Sequence, residues 1–260
     1  MALFNISPIN SLSFIKRDSL AESFVNTPYQ DIYSLAKKPY CQMINVSDKV
    51  TIQVKTDYTA VTATLYNVLT NTSTTLTPVK ETTYTLFSFW EIPITFTTEG
   101  YYKVFINGTL SGSASASFES EMIQVKNSWG GLKIDYYNSD NTAYVDYSNG
   151  IEHMIRVEGI VRFSDVGGEE DFYNNQGTQE LVNHVEEETY DLSVEDIPYY
   201  LVKQLIYASK VDNFIVNDVE YLVKEHSKTD HAGSHNYDLT LKLTRLIVPG
   251  INGDDEDYDV

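Results

Sequence analysis

The stretch Lys49-Val-Thr-Ile-Gln-Val-Lys-Thr56 decides the fold, because apolar and polar residues alternate along it without a break. Val50, Ile52 and Val54 would point to one face and the polar residues to the other, which is the pattern of a half-buried β-strand. Residues 51–98 contain 16 threonines, and so dense a population of β-branched side chains disfavours a helix. The sequence therefore predicts an all-β protein.

An immunoglobulin-like β-sandwich is predicted over residues 41–127. In such domains a Gly-x-Tyr-x-Cys run opens a late strand, and its tyrosine hydroxyl ties a corner of the chain. Gly100, Tyr102 and Val104 occupy those places here, with a valine where the cysteine would be. The chain has a single cysteine, so we expect the immunoglobulin-like topology without an internal disulfide. Pro93, in the preceding apolar segment, indicates an edge strand or a bulge.

The sequence divides into two domains with an extension at each end. Gly130 and Gly131 follow the last strand of the sandwich, and the charge of the chain changes there. A second, acidic β domain carrying one α-helix is predicted over residues 128–252. Residues 1–40 are interrupted by prolines and are interpreted as an extended arm, and residues 253–260 as an acidic C-terminal tail.

One helix is predicted in the second domain. Asp196 can cap a helix whose first turn tolerates Pro198, and an apolar face continues from there, so we expect a helix over residues 197–209. Around it we expect a short return strand, a longer strand and a polar loop, at residues 144–147, 153–163 and 165–175 respectively.

Acidic residues are concentrated in the second half of the chain. Residues 1–127 hold 9 Lys and Arg against 10 Asp and Glu, whereas residues 128–260 hold 9 against 27, giving net charges of −1 and −18. A domain this acidic repels phosphate groups, so nucleic-acid binding is not expected. The charge serves solubility, meets a basic partner or lines a passage through which DNA slides without sticking. The sequence leaves these alternatives open.

The best candidates for a metal site are His226, His231 and His235, three of the five histidines within ten residues. Asp230 or Asp238 could orient them as metal ligands. Their spacing falls in a predicted loop rather than on a helix face, so a solvated hairpin tip is favoured. The sequence contains no nucleophile elbow, phosphate-binding loop or dinucleotide fingerprint. It therefore predicts a protein without catalysis, bound metal or cofactor.

The chain contains 20 tyrosines. Aromatic side chains are enriched in strands and at protein interfaces, where they bury a large area at low entropic cost. They can also stack on sugar rings. Packing in the core and at interfaces is the favoured interpretation, and sugar binding is the alternative.

Three stretches of the chain carry a family resemblance. The first is residues 38–54, with a glutamine followed by an alternating strand that begins at an aspartate. The second is residues 135–150 with 155–157, and the third is residues 197–209 with 214–223. Together they resemble structural proteins of tailed phages that infect Bacteroidetes, found in tail, neck and baseplate assemblies and including those of crAss-like podoviruses. The likeness is one of pattern rather than of an invariant motif.

The resemblance implies a ring-forming virion protein of the tail or neck, without catalysis, assembled in the bacterial cytoplasm. Its expected partners are other copies of the chain, neighbouring tail or neck proteins and DNA passing through a lumen without specific binding, and no membrane. Rings need two different complementary faces on each subunit. The contact residues hypothesised for these faces are Phe14, Phe24 and Tyr29 in the arm, and Asp254, Asp255, Glu256 and Asp257 in the tail.

Two other functions are kept open. A carbohydrate-binding or adhesin-type β-sandwich module would be a monomer, and polysaccharide would quench the fluorescence of Trp90 or Trp129. A metal-dependent enzyme would bind stoichiometric zinc. The N-terminus lacks the basic start and long apolar run of a secretory signal, and no stretch approaches the ~20 apolar residues of a membrane-spanning helix.

Overall fold

The computed structural model describes five stretches of the chain: residues 3–17, 40–109, 115–175, 178–231 and 236–247. For residues 168–186 and 246–247 within them, only the backbone is described. These stretches form eighteen strands and one helix. The predicted all-β class with one helix is therefore confirmed.

Eleven strands make up the first domain: β1 Phe4–Ile6, β2 Phe14–Lys16, β3 Gln42–Asn45, β4 Lys49–Thr56, β5 Ala60–Asn67, β6 Thr72–Leu76, β7 Val79–Thr83, β8 Ser88–Thr95, β9 Gly100–Thr109, β10 Ser115–Ser120 and β11 Ile123–Lys126. One sheet has the strand order β1-β4-β8-β7. The other has the order β2-β10-β9-β11-β3, and β5 joins it by pairing with β9 and with β6.

Both sheets bury alternate side chains in one common core. Val50, Ile52 and Val54 of β4 are at most 1% exposed, and they share the core with the fully buried Val104 and Ile106 of β9. The alternation read from the sequence is thus the alternation of buried and outward side chains. Two sheets around one core make a β-sandwich.

Two finer expectations for the sandwich concern Tyr102 and Pro93. The Tyr102 hydroxyl donates to the carbonyl of Thr98 at 3.0 Å, which is the corner contact expected of that tyrosine. Pro93 lies in β8 beyond Glu91, the residue at which the pairing with β7 begins. Proline has no N–H to donate, and at this position β7 no longer pairs with β8, so no hydrogen bond to β7 is lost. The immunoglobulin-like topology itself stays a prediction.

Residues 3–17 of the predicted arm supply one edge strand to each sheet of the sandwich. β1 pairs with β4 and β2 pairs with β10, both antiparallel. Between them Leu12 is fully buried in the core, and Asn10 and Ser11 are fully buried as well. In the structure this segment is part of the first domain, because its apolar side chains complete the core.

The second domain contains seven strands and one helix: β12 Leu132–Tyr137, β13 His153–Val157, β14 Gly159–Asn175, β15 Thr178–Pro198, α1 Tyr199–Ala208, β16 Asn213–Val216, β17 Val219–Asp230 and β18 Asn236–Ile247. Its sheet has the order β13-β12-β16-β17-β18-β15-β14. The first and last strands of this order, β13 and β14, are separated along the chain only by Glu158. The two ends of the sheet therefore meet, and the sheet curls around its own core.

Helix α1 closes this core. Leu201, Val202, Leu205 and Ala208 are fully buried against the sheet. The helix lies within two residues of its predicted bounds, but the predicted cap is wrong. The residue at the N-cap is Pro198, without a side-chain hydrogen bond, because the preceding aspartate belongs to a bulge of β15.

Three local predictions for the second domain are wrong. Residues 165–175, expected as a polar loop, are strand because they pair with β15 over their whole length. Residues 153–163 form two strands instead of one, since β13 pairs with β12 whereas β14 pairs with β15. Residues 144–147 form no strand, because Gln53 of the first domain pairs with the backbone N–H and carbonyl of Asp146.

Candidate functional site: the cleft between the two domains

The segment joining β1 to β2 binds both domains through buried polar contacts. Gln53 N donates to Asn10 Oδ1 at 2.9 Å, and Asn10 Nδ2 donates to the carbonyl of Gln53 at 3.0 Å. From the second domain, Gln204 of α1 donates to the carbonyl of Asn10, and Met154 N donates to Ser11 Oγ at 3.0 Å. Because an unpaired polar group is costly to bury, these pairings fix the segment against both domains.

A buried ion pair fixes the same junction. Arg156 of β13 donates to the two carboxylate oxygens of Asp48 at 2.6 and 2.9 Å. Burial alone would raise the pKa of Asp48, but the hydrogen bonds from Arg156 and from Asn45 N, with the guanidinium charge, outweigh burial and lower that pKa. The domains are therefore held in one arrangement, and the cleft between them is a fixed feature.

The cleft has a volume of about 710 Å³ and is lined by both domains. Its residues are Tyr40, Cys41, Met43, Tyr101, Gln124, Lys126 and Trp129 from the first domain and the linker, and Glu158, Glu195, Asp196 and Ile197 from the second. Three of the side chains are large aromatic rings and three are carboxylates. This mixture distinguishes the cleft from the apolar cores on either side of it.

Trp129 is held at the rim by its neighbours in the sandwich. Its backbone N–H donates to Asn45 Oδ1 at 2.8 Å. Lys126 Nζ lies 3.9 Å from the centroid of the indole ring, which is a cation–π contact. The indole N–H is buried and has no hydrogen-bond partner among the described residues. The ring is thus fixed in place while its one polar atom is left unused.

A β-bulge places two carboxylates at the opposite wall. The pairing of β15 with β18 shifts register between Val194 and Ile197, so that Glu195 and Asp196 together lie opposite one residue of β18, Asp238. Asp196 has a φ of 54°, in the left-handed region. Its Oδ1 accepts a hydrogen bond from Asn236 Nδ2 at 2.8 Å, which stabilises this backbone. The bulge is the physical cause of the acidic wall.

Behind the cleft lies a buried acid. Glu121 accepts a hydrogen bond from Ser13 N at 3.0 Å and another from the Tyr200 side chain. Complete burial outweighs these bonds and raises the pKa of Glu121 to about 7. Burial, with the Glu121 charge adding to it, also raises the pKa of Tyr40, whose hydroxyl has no partner among the described residues. The junction therefore contains a titratable group that changes charge near neutral pH.

Of the three histidines considered for metal binding, the structure describes two. His226 lies on β17 with an exposed side chain, and His231 follows the end of that strand. The Nε2 atom of His231 is 2.7 Å from Asp238 Oδ1, an ion pair when the imidazole is protonated. His235 lies outside the described residues. Across the part of the chain that is described, no group of three or more histidine, cysteine or acidic side chains could hold a metal ion.

Of the hypothesised contact residues, the structure places only Phe14. Its side chain is half-buried in β2 and packs against the core of its own sandwich. The other contact residues lie outside the described residues: Phe24, Tyr29, Asp254, Asp255, Glu256 and Asp257.

A second surface stands out on the sheet of the second domain. Phe163 and Val166 of β14 are 57% and 55% exposed. The Phe163 ring contacts Tyr190, whose ring in turn contacts Tyr221, with centroid distances of 5.7 and 5.4 Å. These four residues continue the side of the sheet on which Leu192 is fully buried beneath α1. We call them the open face.

Beyond the open face, β14 and β15 continue as a two-stranded ribbon. β18 pairs with β15 only as far as Glu186, opposite Ile247. From there to the pair Asn175 and Thr178, the described partners are β14 and β15 alone. These seven rungs extend about 23 Å at the usual rise per residue. A two-stranded ribbon by itself is marginally stable in water, so this one is suited to packing against another molecule.

Sequence reasoning did not assemble the cleft. In the sequence, Trp129 stands out beside the glycines of the domain boundary and as one of two tryptophans that could report on polysaccharide binding, and nothing marks Glu195 by itself. The one local signal was the Glu195-Asp196 pair interrupting an alternating strand, and it was interpreted as a helix cap.

Comparison with models of protein families, with characterised proteins and with solved structures found no match. Within the described ranges, no helix combines the length and the apolar character needed to cross a membrane.

Proposed function

We propose that the chain is a non-enzymatic structural subunit of a tailed phage, which forms a ring of the tail or neck through repeated contacts between its copies. The family resemblance supports the phage origin. The observation that carries the assembly is the open face, a surface continuous with the core of the second domain on which the described residues leave Phe163 and Val166 more than half exposed. Exposed apolar patches of this kind mark contact surfaces.

Charge favours a head-to-tail contact. The second half of the chain carries a net charge of −18, and the first half −1. Two second domains brought face to face would repel each other, whereas a second domain can meet the first domain of the next copy without that penalty. Head-to-tail contacts generate rings when the rotation closes. The acidic second domain then also suits a lumen through which DNA passes without binding.

The first domain offers a different surface for that contact. β7 is the edge strand of its sheet, and the turn between β7 and β8 exposes Leu86 by 80% and Tyr84 by 44%. Natural proteins usually protect an open strand edge flanked by apolar side chains. A neighbouring copy would supply that protection here.

The test is the mass of the purified protein by light scattering, with negative-stain images of the same fractions. We expect multiples of the 29.5 kDa chain and closed rings at high concentration. Phe163→Ser should shift the equilibrium at least tenfold toward the monomer. The matched control is Ile160→Ser, which removes a 52% exposed side chain from the opposite face of the same strand and should assemble normally.

Two results contradict the proposal. One is a wild-type chain that stays monomeric at every concentration. The other is equal assembly of the Phe163→Ser and Ile160→Ser variants, which would show that the open face is not the contact.

A further inference from the structure

We infer that the cleft between the two domains is a binding site for a neutral oligosaccharide. The site is independent of the proposed assembly. Its wall at Glu195 lies five residues along β15 from Tyr190 of the open face, so a ligand in the cleft and a copy on the open face use different surfaces.

The size of the cleft suits a small ligand. Sites for small molecules usually enclose about 300–1,000 Å³, and this cleft has about 710 Å³. It lies between two domains, which is a common position for such sites. The buried Arg156–Asp48 pair and the Asn10 contacts fix its walls, so the site exists before a ligand arrives.

The side chains match the two kinds of surface that a sugar presents. Trp129, Tyr101 and Tyr40 offer aromatic rings against which the C–H faces of a sugar ring pack. Gln124 and Glu195 offer an amide and a carboxylate for its hydroxyls. A purely apolar ligand would leave these polar groups without partners.

Charge selects a neutral sugar over an acidic one. Among the described residues that line the cleft, three are acidic, Glu158, Glu195 and Asp196, and one is basic, Lys126, which already contacts the Trp129 ring. Uronic acids, sialic acids and phosphorylated sugars would be repelled. A basic peptide shares this preference for carboxylates and can also pack its cations against aromatic rings, so it serves as the rival in the test.

The first experiment is a glycan array probed with the full-length protein. The array carries neutral bacterial and plant oligosaccharides, with acidic oligosaccharides and oligolysine as comparison ligands. We expect binding to at least one neutral glycan. Glu195→Gln, on an exposed side chain, and Trp129→Phe should each weaken that binding at least tenfold, while Trp90→Phe, in β8 of the sandwich, should not.

The second experiment titrates the bound glycan in solution and follows tryptophan fluorescence. In the Trp90→Phe variant the remaining indole is Trp129, and its emission should change saturably. In the Trp129→Phe variant the remaining Trp90 should not respond. Binding to acidic glycans or oligolysine only, binding that none of the cleft variants weakens, or no binding to any neutral glycan would overturn the inference. None of these results depends on whether the protein forms rings.

Discussion

The sheet of the second domain has two halves that share one side but differ in what covers it. In the first half, Leu192, Leu239 and Leu241 are fully buried beneath α1. In the second half, Phe163 and Val166 remain more than half exposed on the same side. The strands are continuous through both halves, so the sheet is longer than the one helix of the described chain can cover.

This difference separates residues that fold the chain from residues free to serve another purpose. Burying an apolar side chain stabilises the fold by about 1.5–3 kcal/mol, and the covered half gains that energy within the single chain. The open face gains little until something covers it. Phe163 and Val166, which are more than half exposed, therefore contribute little to the stability of the described fold.

The largest expected change in the free energy of unfolding comes from a substitution in the helix that covers the first half of the sheet. Leu205→Ala removes a fully buried side chain of α1 and should lower the free energy of unfolding by about 2–5 kcal/mol. Tyr207→Ala is the matched control on the same helix, because that side chain is 43% exposed, and it should cost less than about 1 kcal/mol. Urea denaturation followed by circular dichroism measures both. Equal losses would mean that α1 does not cover the sheet as described.

The next largest change in stability concerns the contact between α1 and the first domain. Tyr200 of α1 forms a hydrogen bond there with Glu121 of the first domain. The pKa of Glu121 is raised by burial from 4.5 to about 7, so the folded state holds this proton more tightly than the unfolded state. Its burial therefore costs nothing below about pH 4.5, and the cost grows as the pH rises toward 7. At pH 8 it amounts to about 3 kcal/mol.

Glu121→Gln should remove this pH dependence. The variant should be more stable than the wild type at pH 8, by up to about 3 kcal/mol, and the gain should largely vanish at pH 4.5. Urea denaturation at the two pH values gives the comparison, and taking the difference between variant and wild type cancels the other titrating groups. One of these is the buried His153, whose pKa burial lowers to about 4. A gain of the same size at both pH values would contradict the assignment.

The two halves also differ in how well the sequence predicts them. The apolar face of α1, which covers the first half, is a local pattern with a period of 3.6, and it was confirmed within two residues, as was the period-2 alternation of β4 in the first domain. The strand at residues 165–175 was missed because its composition is polar and contains two glycines. It is a strand because it pairs with β15, and the sequence of either segment alone contains no pattern that predicts this pairing.

The cleft was beyond the reach of sequence patterns for the same reason. Trp129 and Glu195 line one cleft only because the curled sheet returns to the sandwich and β15 has a bulge opposite Asp238. The bulge is a property of the register between two strands, and its Asp196 looks like a helix cap when read locally. Closeness in sequence is no better a guide for the histidines, since the described pair His226 and His231 belongs to no group of three or more metal-ligating side chains among the described residues.

The smallest expected effect on folding, and the sharpest test of the comparison, comes from removing the ribbon. Gly167 and Glu187 are paired across β14 and β15, so replacing residues 168–186 by Asn-Gly closes the hairpin with a two-residue turn and keeps the register. The free energy of unfolding should change by no more than about 0.5 kcal/mol, because a two-stranded ribbon adds little to the stability of a single chain. Ring formation should nevertheless weaken, since the ribbon extends the surface that a neighbouring copy would cover.

Urea denaturation measures the free energy of unfolding of this variant, and light scattering measures its assembly. A large loss of stability in the monomer would show that the ribbon belongs to the fold, and the distinction between the two halves of the sheet would then fail.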